Sequence, residues 1–252
     1  MIAQRSFNLM PTVVKNLLII NGLFFLGMIS IRSTFGIDIT DWLGLYFPAS
    51  SEFLPVQLVT HMFMHGNFGH IFSNMLMLWF LGSAMENHWG AKRFLTYYLL
   101  TGLGASALQI GVNAIEYFQL SAALESGALE TITRDGKDLI ERGFNYTNPT
   151  WGSFNRLLNA PMVGASGAVF GVLLAFGMTF PNQVIYLNFL FPIKAKYFVI
   201  GYGLLELYNG FSVSNSGIAH FALECIMFYS IKEFAHLLME RLKDTFLCAI
   251  FE

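Results

Sequence analysis

Apolar stretches close to the length of a bilayer crossing recur along this chain, at residues 13–31, 70–85, 94–112, 162–180, 197–211 and 217–234. A spanning helix takes about 20 mainly apolar residues, so each stretch is a candidate span. The first, third and fourth are the most apolar; the second, fifth and sixth are short or carry polar residues, which predicts burial among other helices. Only 12% of the 252 residues are charged, while 55% are hydrophobic. A soluble domain carries about 25% charged residues, so these charges cannot cover a globular surface. The expected fold is an all-α membrane protein, a bundle of six transmembrane helices forming a single domain over residues 1–252.

The basic residues orient the spans. Lys92 and Arg93 lie between spans two and three, Lys194 and Lys196 between four and five, and Lys232, Arg241 and Lys243 follow span six. Short basic connections stay in the cytoplasm. Every such connection falls there if both termini are cytoplasmic, and the connection 212–216 on the other side has no charge. Arg5 and Lys15 precede an apolar stretch that no small-residue cleavage site follows, so a retained first span is expected rather than a signal peptide.

Two longer connections then lie outside. Residues 32–64, with Trp42, Tyr46, Phe47 and Pro48, form an interfacial loop with amphipathic pieces. Residues 114–161 form a mixed-charge, solvated insertion, with a surface helix over 115–129 and a loop at 145–151. The net charge of −2 argues against a nucleic-acid partner, and Cys225 and Cys248 do not make a disulfide framework.

Polar residues inside spans are costly and mark function by default. Here they gather near one face. Spans two, four and six all run inward from the outer side, and each carries its polar residues near that end: His70 and Asn74, Ser166, and His220. His70 and Asn74 are one helical turn apart on one face. Ser166 sits in Gly164-Ala165-Ser166-Gly167-Ala168, where glycines admit close approach and the N–H groups of a helix start can face an oxyanion. Gly167, Gly171 and Ala175 add a small-residue face suited to tight helix packing, and taken alone Ser166 is a packing residue on it. His61 and His65 share helical spacing without a complete metal-ligand set, so their expected role is to position the outer loop. Glu86 is expected to end span two at the cytoplasmic interface.

The run His61-Met62-Phe63-Met64-His65-Gly66-Asn67-Phe68-Gly69-His70-Ile71-Phe72-Ser73-Asn74 resembles the second-helix motif of the rhomboid intramembrane serine proteases. Leu81-Gly82-Ser83-Ala84-Met85-Glu86 is similar to the end of that helix, and Gly164-Ala165-Ser166-Gly167-Ala168-Val169-Phe170-Gly171 to the nucleophile helix. Residues 191–207, including Pro192-Ile193-Lys194-Ala195-Lys196-Tyr197, look like bacterial rhomboids. The resemblance covers about residues 45–222. It implies a Ser166 nucleophile, a histidine base on span six without a third acidic residue, and an oxyanion site made by His70, Asn74 and the Ser166 backbone. It also implies substrates that are membrane proteins entering laterally from the bilayer, no cofactor or metal, and residence in a bacterial inner membrane with the site toward the extracytoplasmic face.

Span six departs from the family pattern. The base there is normally followed by glycines, as in Ala-His-Leu-Gly-Gly, whereas this chain has Ala219-His220-Phe221-Ala222-Leu223-Glu224. Two alignments stay open: His220 is the base, or the base position is taken by Leu223 and the dyad is lost. The leading reading is an intramembrane serine endopeptidase. The second is a catalytically inactive relative that binds client transmembrane helices, and a small transporter is the third, weakened because no polar path crosses the spans.

Overall fold

The structure, a computed structural model, describes residues 7–187 and 191–213. Contacts divide the chain into two compact units, Met1–Pro181 and Asn182–Glu252.

In the first unit, α1 (Thr12–Phe35) ends on Gly36 at φ 69°, the left-handed conformation glycine adopts without strain. Short turns α2 (Thr40–Leu43) and α3 (Gln57–Thr60) interrupt the following loop, and α3 runs on into a tight turn at His61–Phe63. Gln57 is fully buried and organises this loop. Its amide nitrogen donates to Trp42 O and Glu52 O, and its oxygen accepts from the N–H groups of Tyr46 and Leu54. The second span is one rod of three parts: α4 (Phe68–Met77), a wider π turn at Leu78–Gly82, and α5 (Ser83–Trp89). Asn67 starts it by accepting the N–H of His70 at 2.9 Å. Gly82 lies in the π turn beside Val14 and Phe94, where a Cβ would meet their side chains at 3.1 and 3.2 Å.

The next helix, α6 (Ala91–Ala122), is longer than the expected 94–112. Together α1, the rod Phe68–Trp89 and α6 are the three helices among the described residues that are long and apolar enough to cross a membrane. The fourth expected span is shorter than its apolar stretch: α9 is Ser166–Thr179, about 21 Å long at the helical rise. Residues 162–165 are instead held outside the helix, with Met162 bridged to Leu45 and Gly164 N–H bonded to His61 O. Most of α9 is buried, because it packs against α4, α5, α6 and the π turn. Among the described residues its small face meets α6. A Cβ on Gly167 would lie 2.5 Å from Ala105 Cβ, one on Gly171 would lie 2.7 Å from Thr101, and Tyr97 donates to Gly171 O at 2.9 Å.

The insertion at 114–161 is largely helical, with many exposed residues and a buried apolar seam. The surface helix at 115–129 does not exist as one piece: α6 carries its first part to Ala122, and Gly127 at φ 86° breaks the chain before α7 (Ala128–Glu141). The expected loop at 145–151 turns into α8 (Pro149–Asn159), capped by Asn148 with proline at its first position. Helices α7 and α8 pair over Ile132, Phe154, Leu157 and Leu158, which pack with Phe47 of the loop after α1 and with Tyr117 of α6. A polar ladder supports the pair, as Asn155 donates to Asn145 and Asn159 to Asn155. Lys137 pairs with Glu52 at 2.5 Å, tying α7 to the same loop. Burial pulls Lys137 down, but the bond to Glu52 and the neighbouring carboxylates outweigh it and raise its pKa.

The second unit holds a strand pair that the apolar pattern does not announce. Strands β1 (Val184–Leu187) and β2 (Phe191–Lys194) run antiparallel with Val184 opposite Lys194, and lead into α10 (Ala195–Val213), the fifth expected span. Residues 217–234, and with them His220 and Leu223, lie outside the described residues.

Candidate functional site

Three elements of the first unit meet where α4 and α9 begin. Gly164 takes φ +125° and is buried, so the chain turns tightly into Ser166, the first residue of α9. The bare Cα of Gly164 faces the His70 ring. A Cβ there would lie 2.8 Å from both Cε1 and Nε2 of His70 and 3.5 Å from the Ser166 hydroxyl oxygen. The imidazole and the hydroxyl thus border one small space. Ser166 is exposed and His70 half-buried.

As the first residue of a helix, Ser166 contributes an N–H with no intrahelical partner, which leaves a donor beside its own hydroxyl. Asn74 lies one turn further along α4 and is buried, with its amide donating to His70 O at 3.0 Å. That bond fixes the side chain on the His70 side of the helix and leaves its second N–H uncommitted by it. Of the expected site residues, the structure therefore brings Ser166, His70 and Asn74 to one end of the bundle. His220 is not among the described residues.

Sequence spacing did not reveal what holds this corner. His61 Nδ1 donates to Gln57 O at 2.8 Å, and its Nε2 lies 3.0 Å from the Ser106 hydroxyl. Burial lowers its pKa, against the raising effect of backbone bonds from Gln57 and Leu58. The neutral ring donates from Nδ1 to the Gln57 carbonyl, leaving Nε2 to accept from Ser106, whose hydroxyl also lies 2.9 Å from Gly102 O. His61 O accepts the Gly164 N–H at 2.9 Å, so the serine loop hangs from this histidine. Ser106 is 45 residues away in sequence, and no local pattern pairs the two. The expected loop-positioning role of His61 has this concrete form.

His65 is buried and stacks edge-on to His70, with ring centroids 5.1 Å apart at 68°. Burial is the main cause that pulls its pKa down to about 4, with the charge of His70 second. Among the described residues, no three His, Cys, Asp or Glu side chains are arranged to hold a metal ion. Chemically, the corner offers a hydroxyl, a helix-start N–H, an amide and an imidazole in a partly desolvated place. These are groups that can stabilise a developing oxyanion.

Comparisons with known proteins bear on the family. Residues 54–237, well over half of the chain, match the Rhomboid domain. The chain is 30% identical over 166 residues to RHOMBOID-like protein 12, mitochondrial, of Arabidopsis thaliana, covering 65% of this chain and 41% of that protein. It is 26% identical over 138 residues to Rhomboid protein 1, mitochondrial, of Saccharomyces cerevisiae, covering 55% and 29% respectively. The matches thus span less than half the length of either relative. Both relatives are eukaryotic and mitochondrial by name, so they give no support to the bacterial type and bacterial inner membrane expected from the resemblance. An integral membrane protein whose matched region contains both the His70 helix and the Ser166 helix, this chain belongs to the rhomboid family.

Proposed function

We propose that the chain is an intramembrane serine endopeptidase that cuts transmembrane or membrane-proximal segments of other membrane proteins. The observation that carries this reading is the shared space at Gly164, bordered by the Ser166 hydroxyl and the His70 imidazole. Ser166 is the nucleophile. His220 on span six takes its proton and returns it to the leaving amine, because a serine hydroxyl attacks poorly without a base. His70, Asn74 and the Ser166 N–H stabilise the tetrahedral oxyanion, and no cofactor takes part.

In this proposal residues 1–252 act as one six-span membrane domain with both termini on the cytoplasmic side. Substrate helices reach the site laterally from the bilayer. The inner membrane of a bacterium, inferred from sequence, competes with the mitochondrial setting named for the relatives. Fractionation of the native source separates the two.

Among the described residues, the small residues Gly167, Ala168 and Gly171 of α9 pack against α6. The second reading, an inactive rhomboid-like protein that binds client helices, is favoured by the Phe221-Ala222-Leu223-Glu224 departure. A serine-reactive fluorophosphonate probe on the full chain in lipid separates them. Labelling that disappears in Ser166→Ala supports the protease; a chain that is folded and unlabelled is the inactive binder.

A further inference from the structure

The loop after α1 grips the strap that leads into α9 at successive points. Gly44 lies against Pro161, Leu45 and Met162 exchange both backbone bonds at 2.9 and 2.8 Å, and His61 O accepts the Gly164 N–H at 2.9 Å. Only Ala165 then separates Gly164 from Ser166. On the loop side these grips belong to one stitched unit. Thr60 donates its hydroxyl to Leu43 O at 2.7 Å, and the buried Gln57 side chain bonds Trp42 O and the Tyr46 N–H, on either side of Gly44. The strap, residues 160–165, is all the chain that lies between the end of α8 and Ser166.

Gly44 has no conformational reason to be glycine. It takes φ −72° and ψ 149°, extended backbone open to any side chain. What it lacks is room. Gly44 is buried, and a Cβ there would lie 2.8 Å from Pro161 Cβ and 2.7 Å from Thr40 O. Carbon atoms rest about 3.5–4.0 Å apart, so an added methyl group displaces its neighbours by about 1 Å. Pro161 is joined directly to Met162, whose bonds to Leu45 pass any such shift into the strap. A shift of about 1 Å at a reacting group is the scale that costs about 100-fold in rate.

We propose that Gly44 is a positioning residue for Ser166: its bare Cα seats Pro161, and that seat sets where the strap delivers the serine hydroxyl beside His70. This rests on the protease reading. Gly44 touches no reacting atom and acts through Pro161, Met162 and Gly164. The α7–α8 pair is held by the same loop, because Phe47, three residues after Gly44, packs in its seam. Loop and helix pair together therefore fix the approach to the nucleophile from both ends of the strap.

The test uses the full chain in proteoliposomes. Parent, Gly44→Ala and the double variant Gly44→Ala/Pro161→Gly are compared for fluorophosphonate labelling of Ser166, for kcat and KM on a fluorophore-tagged synthetic single-span peptide, and for amide hydrogen exchange over 160–166. In Gly44→Ala, labelling and kcat fall about 100-fold, KM stays within about two-fold, and exchange at Met162 and Gly164 rises. The double variant removes the carbon that the added methyl meets and leaves the Thr40 contact in place, so it labels faster than Gly44→Ala alone. Thr60→Val adds no bulk and removes the bond to Leu43 O; it slows labelling less than Gly44→Ala, and it carries the test if Gly44→Ala does not fold. The proposal is overturned if Gly44→Ala or, in its place, Thr60→Val labels at the parent rate. It is also overturned if exchange over 160–166 is unchanged, or if the double variant is as slow as the single one. A parent chain that never labels at Ser166 defeats the protease reading itself, and this proposal with it, before Gly44 is changed.

Discussion

Glu86 on α5 closes the first turn of α1: its Oε2 accepts the N–H of Val14 at 2.8 Å, and its Oε1 accepts that of Val13 at 3.0 Å. A helix start has unpaired N–H groups and a positive dipole end, and a buried carboxylate satisfies both. Glu86 is 5% exposed, so these bonds form out of water. Beside it, Asn87 exchanges bonds with Asn8, and Trp79 and Ser83 both donate to Leu9 O. Glu86, expected near the end of span two, also fastens span one to span two.

Replacing Glu86 with Ala strands two N–H groups and is expected to cost about 2–4 kcal/mol, at the level of charge-assisted bonds lost from a buried place. Glu86→Gln keeps one good acceptor and should lose less. Thermal unfolding in a mild detergent reads both. Equal stability of Glu86→Ala and the parent would count against the capping role.

At Gly164, an added Cβ meets two disadvantages at once: φ +125°, which side chains rarely adopt, and the His70 ring at 2.8 Å. Gly164→Ala is expected to displace either His70 or Ser166 and to slow labelling and cleavage about 100-fold. The backbone strain adds about 1–3 kcal/mol of destabilisation. Gly66→Ala, where a Cβ meets nothing within 4 Å, serves as the neutral comparison.

His65 predicts a pH dependence. Its folded-state pKa is lowered from 6.5 to about 4 by burial and by His70. The unfolded chain therefore binds the proton more readily than the folded one. The stability associated with a neutral His65 is complete above pH 6.5 and is lost as pH falls through that window toward about 4. Unfolding curves from pH 7.5 down to 4 should show that loss, and His65→Gln should flatten it. A parent and variant with the same acid slope would remove His65 from the explanation.

Ile132 is fully buried between α7, α8 and the Phe47 loop. Ile132→Ala is expected to cost about 2–4 kcal/mol, as for other large-to-small core changes. Because Phe47 shares that cluster, limited proteolysis should then cut the loop after α1 faster than in the parent. Lys137→Ala, which removes a half-exposed ion pair to Glu52, should cost no more than about 1 kcal/mol.

The apolar stretches and their polar exceptions determined much by themselves. A bilayer requires backbone groups to be satisfied within each segment, so long apolar runs had to be helices, and α1, the Phe68–Trp89 rod and α6 are such helices. The four-residue spacing of His70 and Asn74 put them on one side of α4, where the Asn74 amide meets His70 O. The glycines around Ser166 marked a place where helix and loop come close.

Tertiary structure decided what lies far apart in sequence. Gly167 and Gly171 are small whichever helix they meet; only packing showed that the partner is α6, which brings Thr101 and Ala105. The mixed charges of the insertion masked a helix pair, because α7 turns Ile132 and Ala128 inward while its charged residues stay in water. The His61–Ser106 contact and the Glu86 cap are long-range hydrogen bonds, and residue spacing carries no trace of them. Helical periodicity is a property of neighbours along the chain, whereas the corner at Gly164 is made by segments about a hundred residues apart brought together by packing.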